Sequence, residues 1–368
     1  MKTEPEERVR FRELGFNPGI LPPGRLNAIN DVPGVRIGHF TLVEGLDVRS
    51  GATAILAHGG NLFQDKVPAG LAVGNGYGKL MGSTQLIELG ELETPILLTN
   101  TLAVPRAAEA ILDWTLAQPG NQAVGSVNML VGETNDGWLN NIRKRSLSVA
   151  QIRSAIESAS EQNIAEGALG AGTGTIAFGW KGGIGSSSRQ LPGSLGGYRL
   201  GALVQTNFGG VLQMDGRQVG QSLGQYYMKD ELEQHAADGS IMIILATDAP
   251  LSDRNLTRLA RRALSGLART GAAMSDGSGD YAIAFSTAES VRRTPARRAR
   301  LTAYPELPNA QTSPLFLAAI EATEEAIYNS LCKAHSLSGY RGEIQALPLD
   351  KIRALRDNLA RRQTEAAR

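Results

Sequence analysis

The chain has 368 residues, 42% of them apolar and 20% charged, the balance of an ordinary globular protein long enough to bury a substantial core. Thirty-seven Lys and Arg stand against 36 Asp and Glu, a net charge of +1, which removes any electrostatic case for nucleic acid over the molecule as a whole. A lone cysteine, Cys332, excludes an internal disulfide and a cysteine metal cluster, and no run of about 18 apolar residues is present to span a membrane. Met1 to Gly15 is charged and lacks the apolar stretch of a secretory signal, so a soluble, cytoplasmic protein is expected. Glycine is abundant, 43 residues against about 7% of an average chain. These glycines sit beside strand-like segments, as tight turns and close backbone approaches require.

In chain order, 27–42 reads as a strand, a Pro33-Gly34 turn and a second strand. Ala52–Ala57 and Pro95–Thr99 are short apolar runs suited to buried strands. A helix spans Pro105–Leu116, with Pro105 in the first turn, where its missing N–H costs nothing. Ser126–Val131 reads as a strand running into a polar turn, Gly132 to Gly137. Ser148 opens a helix to about Ser160, and Gln151 completes a capping box. Glycine dominates from Gly167 to Gly185, around the strand-like Thr175–Gly179, and Leu200–Thr206 is a further strand ending at Asn207.

From Gln221 to Gly239 the periodicity breaks, as in an exposed, mobile linker. Ser240 to Ala246 is a continuous β-branched run, a strand buried on both faces. A helix over Asp253–Thr270 carries Leu256, Leu259, Ala260, Ala263, Leu264 and Leu267 on one stripe. Gly279–Phe285 is a strand, Arg292–Arg300 a solvated arginine-rich loop, and Leu315–Lys333 and Leu349–Arg362 are helices. Cys332 reads as a small buried hydrophobe. Strands and helices both run the length of the chain, giving a layered α/β or α+β protein.

Familiar motifs fail. Gly170-Ala171-Gly172-Thr173-Gly174-Thr175 misses the last glycine of a dinucleotide fingerprint, and no acidic residue follows at about 20 positions. Trp180 breaks the phosphate-loop pattern before Lys181. His39, His58, His235 and His335 each read as structural or surface residues. A serine–histidine hydrolase therefore has no obvious base here.

One arrangement needs no histidine. A serine that becomes the first residue of a new chain carries its own α-amine, with a pKa near 8 when unperturbed, and that amine can accept the hydroxyl proton. Asp238-Gly239-Ser240 stands where the linker meets the apolar strand. A Cβ at Gly239 would crowd the attack of the Ser240 hydroxyl on the Gly239 carbonyl.

The segment from Asp238 to Leu251 resembles the nucleophile strand of the L-aminopeptidase/D-amino-acid esterase family (peptidase family S58), which includes β-peptidyl aminopeptidases. The resemblance extends through Asn30-Asp31-Val32-Pro33-Gly34-Val35, Gly132-Glu133-Thr134, Gly172-Thr173-Gly174, Lys181-Gly182-Gly183-Ile184-Gly185, Leu259-Ala260-Arg261-Arg262, Gly266 to Gly271 and Gly277-Ser278-Gly279-Asp280. It thus covers roughly 27–340 in the family's order. It implies a four-layer α/β/β/α sandwich like that of ornithine acetyltransferases and reminiscent of amino-terminal-nucleophile (Ntn) hydrolases. It further implies one catalytic domain, 1–368, self-cleaved between Gly239 and Ser240 into 1–239 and 240–368, and a homo-oligomer, tetramer or larger, of processed units.

By the same resemblance Ser240 is the nucleophile, and Ser278 is a second serine that bonds it and relays its proton. Asp280 orients Ser278, Asn207 is the oxyanion amide, and Glu133 grips the substrate's amino group. Asn135 stands where relatives carry an aromatic residue at the substrate wall, with Trp138 nearby to replace it. No cofactor and no metal are implied. The expected substrates are small peptides, amino-acid amides or esters, of L-, D- or β-amino acids. Two alternatives compete: an ornithine-acetyltransferase-like acyltransferase, against which Ser240 in place of threonine argues, and an unprocessed small-amine-binding relative, against which the set Asn207, Ser240, Ser278 and Asp280 argues.

Overall fold

The computed structural model describes residues 7–162, 165–229 and 239–366. In chain order these form β1 (Arg36–Glu44), β2 (Val48–Leu56), β3 (Val67–Gly76), α1 (Ser83–Leu89), β4 (Glu91–Leu92), β5 (Ile96–Asn100), α2 (Val104–Leu116) and β6 (Leu130–Thr134). There follow α3 (Val149–Glu157), β7 (Ile176–Ala177), β8 (Trp180–Lys181), β9 (Ile184–Gln190), β10 (Arg199–Asn207) and α4 (Val219–Ser222). After the linker region come β11 (Ser240–Thr247), α5 (Asp253–Arg269), β12 (Gly279–Ser286), α6 (Pro295–Arg298), α7 (Ser313–Cys332), β13 (Leu337–Gly339), β14 (Gly342–Ile344) and α8 (Leu349–Ala366).

Two sheets carry the fold. One has the order β1-β2-β5-β6, the other β4-β3-β12-β11-β10-β9. Every residue of β11 is buried, and its side chains divide by the two-residue period of a strand. Met242, Ile244 and Ala246 share a core with Ile55, Leu98 and Val131 of the facing sheet. Ile241, Ile243 and Leu245 share another with Leu256, Leu259 and Ala263 of α5 and Ala322 and Ala326 of α7. Helices α2 and α3 lie on the first sheet, α5 and α7 on the second. The result is the expected four-layer α/β/β/α sandwich, and no described helix is long and apolar enough to cross a membrane.

Where residue chemistry was unambiguous, the elements form as expected. Ser148 and Gln151 make the capping box of α3, Pro105 sits in the first turn of α2, and the α5 stripe is buried except for a partly exposed Leu264. Cys332 is buried, which pushes its thiol up to about 12.

Four expectations are corrected. The first strand within 27–42 is absent: the Asp31 carboxylate accepts from the backbone N–H of Leu26 and Ala28 and a short 3-10 turn, Ile29–Asp31, stands there. The strand expected at Ser126–Val131 begins later, so Gly132, Glu133 and Thr134 lie inside β6 rather than in a turn. The arginine run is partly structural, with Arg297 and Arg298 in α6 and the Arg293 guanidinium 4.0 Å from the Tyr304 ring centroid. Strands β3 and β9 were not expected at all. Of the expected linker, Gln221 and Ser222 belong to α4, and 230–238, including His235 and Asp238, lie outside the described residues.

Candidate active site

Ser240 is the first residue of β11, and the antiparallel register places it directly across from Asn207, the last residue of β10. Both are buried. The Asn207 Oδ1 accepts from the backbone N–H of Ile176 at 3.0 Å. That bond fixes the amide orientation and turns the NH2 end, the donor end, the other way. A Cβ built on Gly239 would lie 2.1 Å from the Asn207 carbonyl oxygen and 2.5 Å from Phe208 Cα, so only glycine fits before Ser240.

The Ser240 Oγ accepts from the Gly279 N–H at 3.1 Å. Strands β11 and β12 run parallel, with Ile241 beside Asp280, so the start of β12 meets the start of β11. Ser278 Oγ donates to Asp280 Oδ2 at 2.5 Å. Its proton thus committed, Ser278 Oγ has only lone pairs to offer a neighbouring hydroxyl. Burial raises Asp280 to about 6, opposed by the bonds from Ser278 and from the Ile241 backbone. A carboxylate in that range can take a proton near neutrality.

The turn carrying Ser278 is clamped by a residue that the sequence did not reveal. The Asn75 amide donates to the carbonyls of Ser275 at 3.0 Å, Asp276 at 2.9 Å and Ser278 at 2.6 Å. Asn75 is the penultimate residue of the glycine-rich strand β3, paired with Asp280 beside a register shift.

Glu133 arrives from the other sheet. Its carboxylate is buried; Oε1 accepts from the Lys79 N–H at 2.9 Å and Oε2 from the Thr101 hydroxyl. Two glycines let the sheets meet at this point: a Cβ on Gly279 would lie 2.5 Å from Gly78 Cα, and one on Gly78 would lie 3.3 Å from Glu133 Oε1. The Tyr281 hydroxyl donates to the Gly78 carbonyl at 2.7 Å, and burial followed by the Glu133 and Asp280 charges pushes that phenol up. Asn207, Ser240, Ser278, Asp280 and Glu133 therefore converge on one spot, tied together through Gly279 and Gly78.

Asn135 behaves differently. It is exposed, and its Oδ1 accepts from Gly137 N–H at 2.9 Å. The Trp138 ring sits against Gly342 of the β13–β14 hairpin, and its carbonyl accepts from the Arg341 N–H at 3.1 Å. Among the described residues no histidine is bonded to Ser240. His39 is pulled down to about 4 by burial and so stays neutral, and His58 Nε2 lies 2.7 Å from the Asp65 carbonyl oxygen.

The sequence profile of peptidase family S58 matches residues 27–345. A curated relative, the β-peptidyl aminopeptidase of Sphingosinicella microcystinivorans, is 37% identical over 372 positions, covering 95% of this chain and 92% of that protein. The chain belongs to peptidase family S58. Among solved structures, the PH0078 protein of Pyrococcus horikoshii OT3 superposes with a TM-score of 0.88 at 44% identity, covering 96% of this chain and 99% of that one. The L-aminopeptidase D-Ala-esterase/amidase of Ochrobactrum anthropi, described as a variant of the Ntn hydrolase fold, superposes with a TM-score of 0.87 at 34% identity, with the same coverage. The expected family and fold are both confirmed by these matches.

Proposed function

We propose that this S58 member is a self-processing serine aminopeptidase that removes amino-terminal residues from small peptides, amino-acid amides or esters. The observation that carries the reading is Ser240 at the head of a buried strand, opposite Asn207 and behind a glycine with no room for a side chain. In self-cleavage, Ser240 Oγ attacks the Gly239 carbonyl and Asp280 receives the proton through Ser278. The C–N bond breaks as the Ser240 nitrogen takes that proton, freeing the α-amine and leaving an ester on Oγ, and water then hydrolyses the ester to a Gly239 carboxylate and the Ser240 hydroxyl. In turnover that amine helps deprotonate Ser240, which attacks the substrate carbonyl. The Asn207 amide is the oxyanion donor in this reading, while the Gly279 N–H holds the Ser240 Oγ. The amine or alcohol departs with a proton, and water hydrolyses the acyl-enzyme.

Glu133 supplies the aminopeptidase character. A buried carboxylate favours a substrate ammonium and is left without a counter-charge by a blocked amino terminus, and a site built this way can reject the wrong analogue by about 10⁴-fold. The test compares amino-acid p-nitroanilides with their N-acetyl forms. The free amines are expected to be cleaved and the acetylated ones not, and Glu133→Gln is expected to lower kcat/KM about 10- to 100-fold, the worth of a hydrogen bond to a charge. Equal cleavage of blocked substrates would overturn the assignment. Asn135, exposed at the end of β6, is read as the outer wall of the acyl pocket.

Self-cleavage precedes the new amine, so its pH dependence reports on Asp280. Below about 6 this carboxyl is protonated and cannot accept the relayed proton. The rate of precursor processing is therefore expected to rise with pH through about 6 and then level off, while Asp280→Asn flattens and slows it. A wild-type rate independent of pH between 5 and 7 would count against the relay.

Two further parts of the reading are the products, 1–239 and 240–368, and their assembly as a homo-oligomer, tetramer or larger. Val73 on β3 and Ile87 and Leu89 on α1 are exposed, apolar surface of the kind a second copy covers. Light scattering on processed protein tests the assembly, and a monomer would refute it.

A further inference from the structure

We propose that Lys181 is a positioning residue that orients and polarises the single peptide unit holding Asn207 in place; this rests on Asn207 being the oxyanion group in the reading above. Lys181 is fully buried, yet it lies outside the cluster of catalytic side chains. Its Nζ donates to the carbonyls of Gly172 at 3.0 Å, Thr175 at 2.8 Å and Gly182 at 2.7 Å. Three carbonyls need three N–H donors, which only the ammonium form provides. Burial pulls Lys181 down to about 7 against the raising influence of nearby Asp136, which burial pushes up to about 7 against the bonds from Ser50 and Asn140.

The peptide between Thr175 and Ile176 is the link. Its C=O accepts from Lys181, and its N–H donates to Asn207 Oδ1 at 3.0 Å. A cation on the oxygen of an amide draws electron density from the nitrogen and strengthens the N–H as a donor. One peptide thus transmits both the position and the charge of Lys181 to the Asn207 amide. Hydrogen-bond satisfaction alone does not call for a lysine here. The Thr175 carbonyl also accepts from Gly182 N–H at 3.1 Å, and the Gly172 carbonyl from the Thr175 hydroxyl at 3.0 Å. A buried ammonium is costly, and two of its three acceptors already have donors.

The test is a double-mutant cycle on processed enzyme with a free-amine p-nitroanilide. Losing an oxyanion donor outright costs about 10²–10³ in kcat, so Asn207→Ala is expected to fall in that range. Lys181→Met is expected to lower kcat by about 10- to 100-fold with KM within about twofold. The double variant is expected to be no slower than Asn207→Ala alone, because Lys181 then has nothing left to act on. If Lys181→Met does not process, the same cycle is read on the rate of precursor cleavage.

Should Lys181→Met not fold, Lys181→Gln, which retains two N–H donors, takes its place; failure of both to fold would assign Lys181 to the fold and overturn the inference. Unchanged kcat in Lys181→Met, or losses that add in the double variant, would also overturn it. If Asn207→Ala itself leaves hydrolysis intact, it is the oxyanion assignment of the previous section that falls.

Discussion

Alanine at position 240 is expected to abolish hydrolysis, by about 10⁴-fold or more, and to leave one uncut chain of 368 residues. The wild type is expected to give two fragments under denaturing conditions, the smaller beginning at Ser240. Both effects have one cause in the proposed mechanism, where the same Oγ attacks first the Gly239 carbonyl and later the substrate. The substitution removes one hydrogen bond, from Gly279 N–H, at the end of a strand whose remaining residues are all buried and apolar or paired, so the fold should persist. Intact mass of both proteins and hydrolysis of an amino-acid anilide are the measurements. Activity retained in Ser240→Ala would sink the nucleophile assignment, and a single chain in both proteins would bring the unprocessed amine-binding reading to the front.

Arg189→Met should be the largest single loss of stability, about 3–5 kcal/mol, the usual cost of leaving a buried partner charge uncompensated. Arg189 is completely buried on β9. It pairs with Glu321 at 3.0 Å and Glu325 at 2.9 Å, both on α7, and also donates to the carbonyls of Ser188 and Pro18. Glu325 keeps Arg12, but Glu321 would be left with only the backbone N–H groups of Ile20 and Leu21. Denaturant midpoints in the Ser240→Ala background follow a single uncut chain and measure the loss. The exposed Arg153–Glu157 pair is the control, since breaking such a pair changes stability by about 0.5 kcal/mol or less. A similarly small effect at Arg189 would show that Glu321 needs no buried counter-charge and would overturn the prediction.

The parts of the fold legible in the sequence are those where one physical signal dominates. The β-branched run of β11, the stripe of α5 and the Ser148 cap each announce a single structure. Strands β3 and β9 gave no such signal, because Val67–Gly76 is rich in glycine and Ile184–Gln190 in serine. Their residues are strand-forming only through what they meet. Ser186 and Ser187, for example, are buried with their hydroxyls on the carbonyls of Ala202 and Ala322.

Glu133 looked like a turn residue, since Glu-Thr-Asn-Asp-Gly is turn chemistry. It is a strand residue because Lys79, Thr101 and the close-packed Gly132 provide for it. Ser240, Asn207 and the Ser278–Asp280 pair were picked out through resemblance, and the structure brings them together. Asn75, Lys79, Thr101 and Gly78 were missed because each acts on a group far away in sequence, which no local pattern records. Lys181 was visible as part of a glycine motif without any role attached to it.

The order of the second sheet has a consequence for the lifetime of the enzyme. Strands β11 and β12 both follow the proposed cleavage point between Gly239 and Ser240, and they stand side by side between β10 and β3, which both precede it. With the proposed cut made, the smaller fragment would be a wedge whose two edges are hydrogen-bonded to the larger one, with no free edge through which to peel away. Folding happens once as a reaction of one molecule. Any later refolding would require two separate chains to find each other, at a rate that depends on their concentration, and neither would have a complete central sheet while it waited. The mature protein is therefore expected to last by unfolding slowly rather than by refolding, with its maturation irreversible in the thermal as well as the chemical sense.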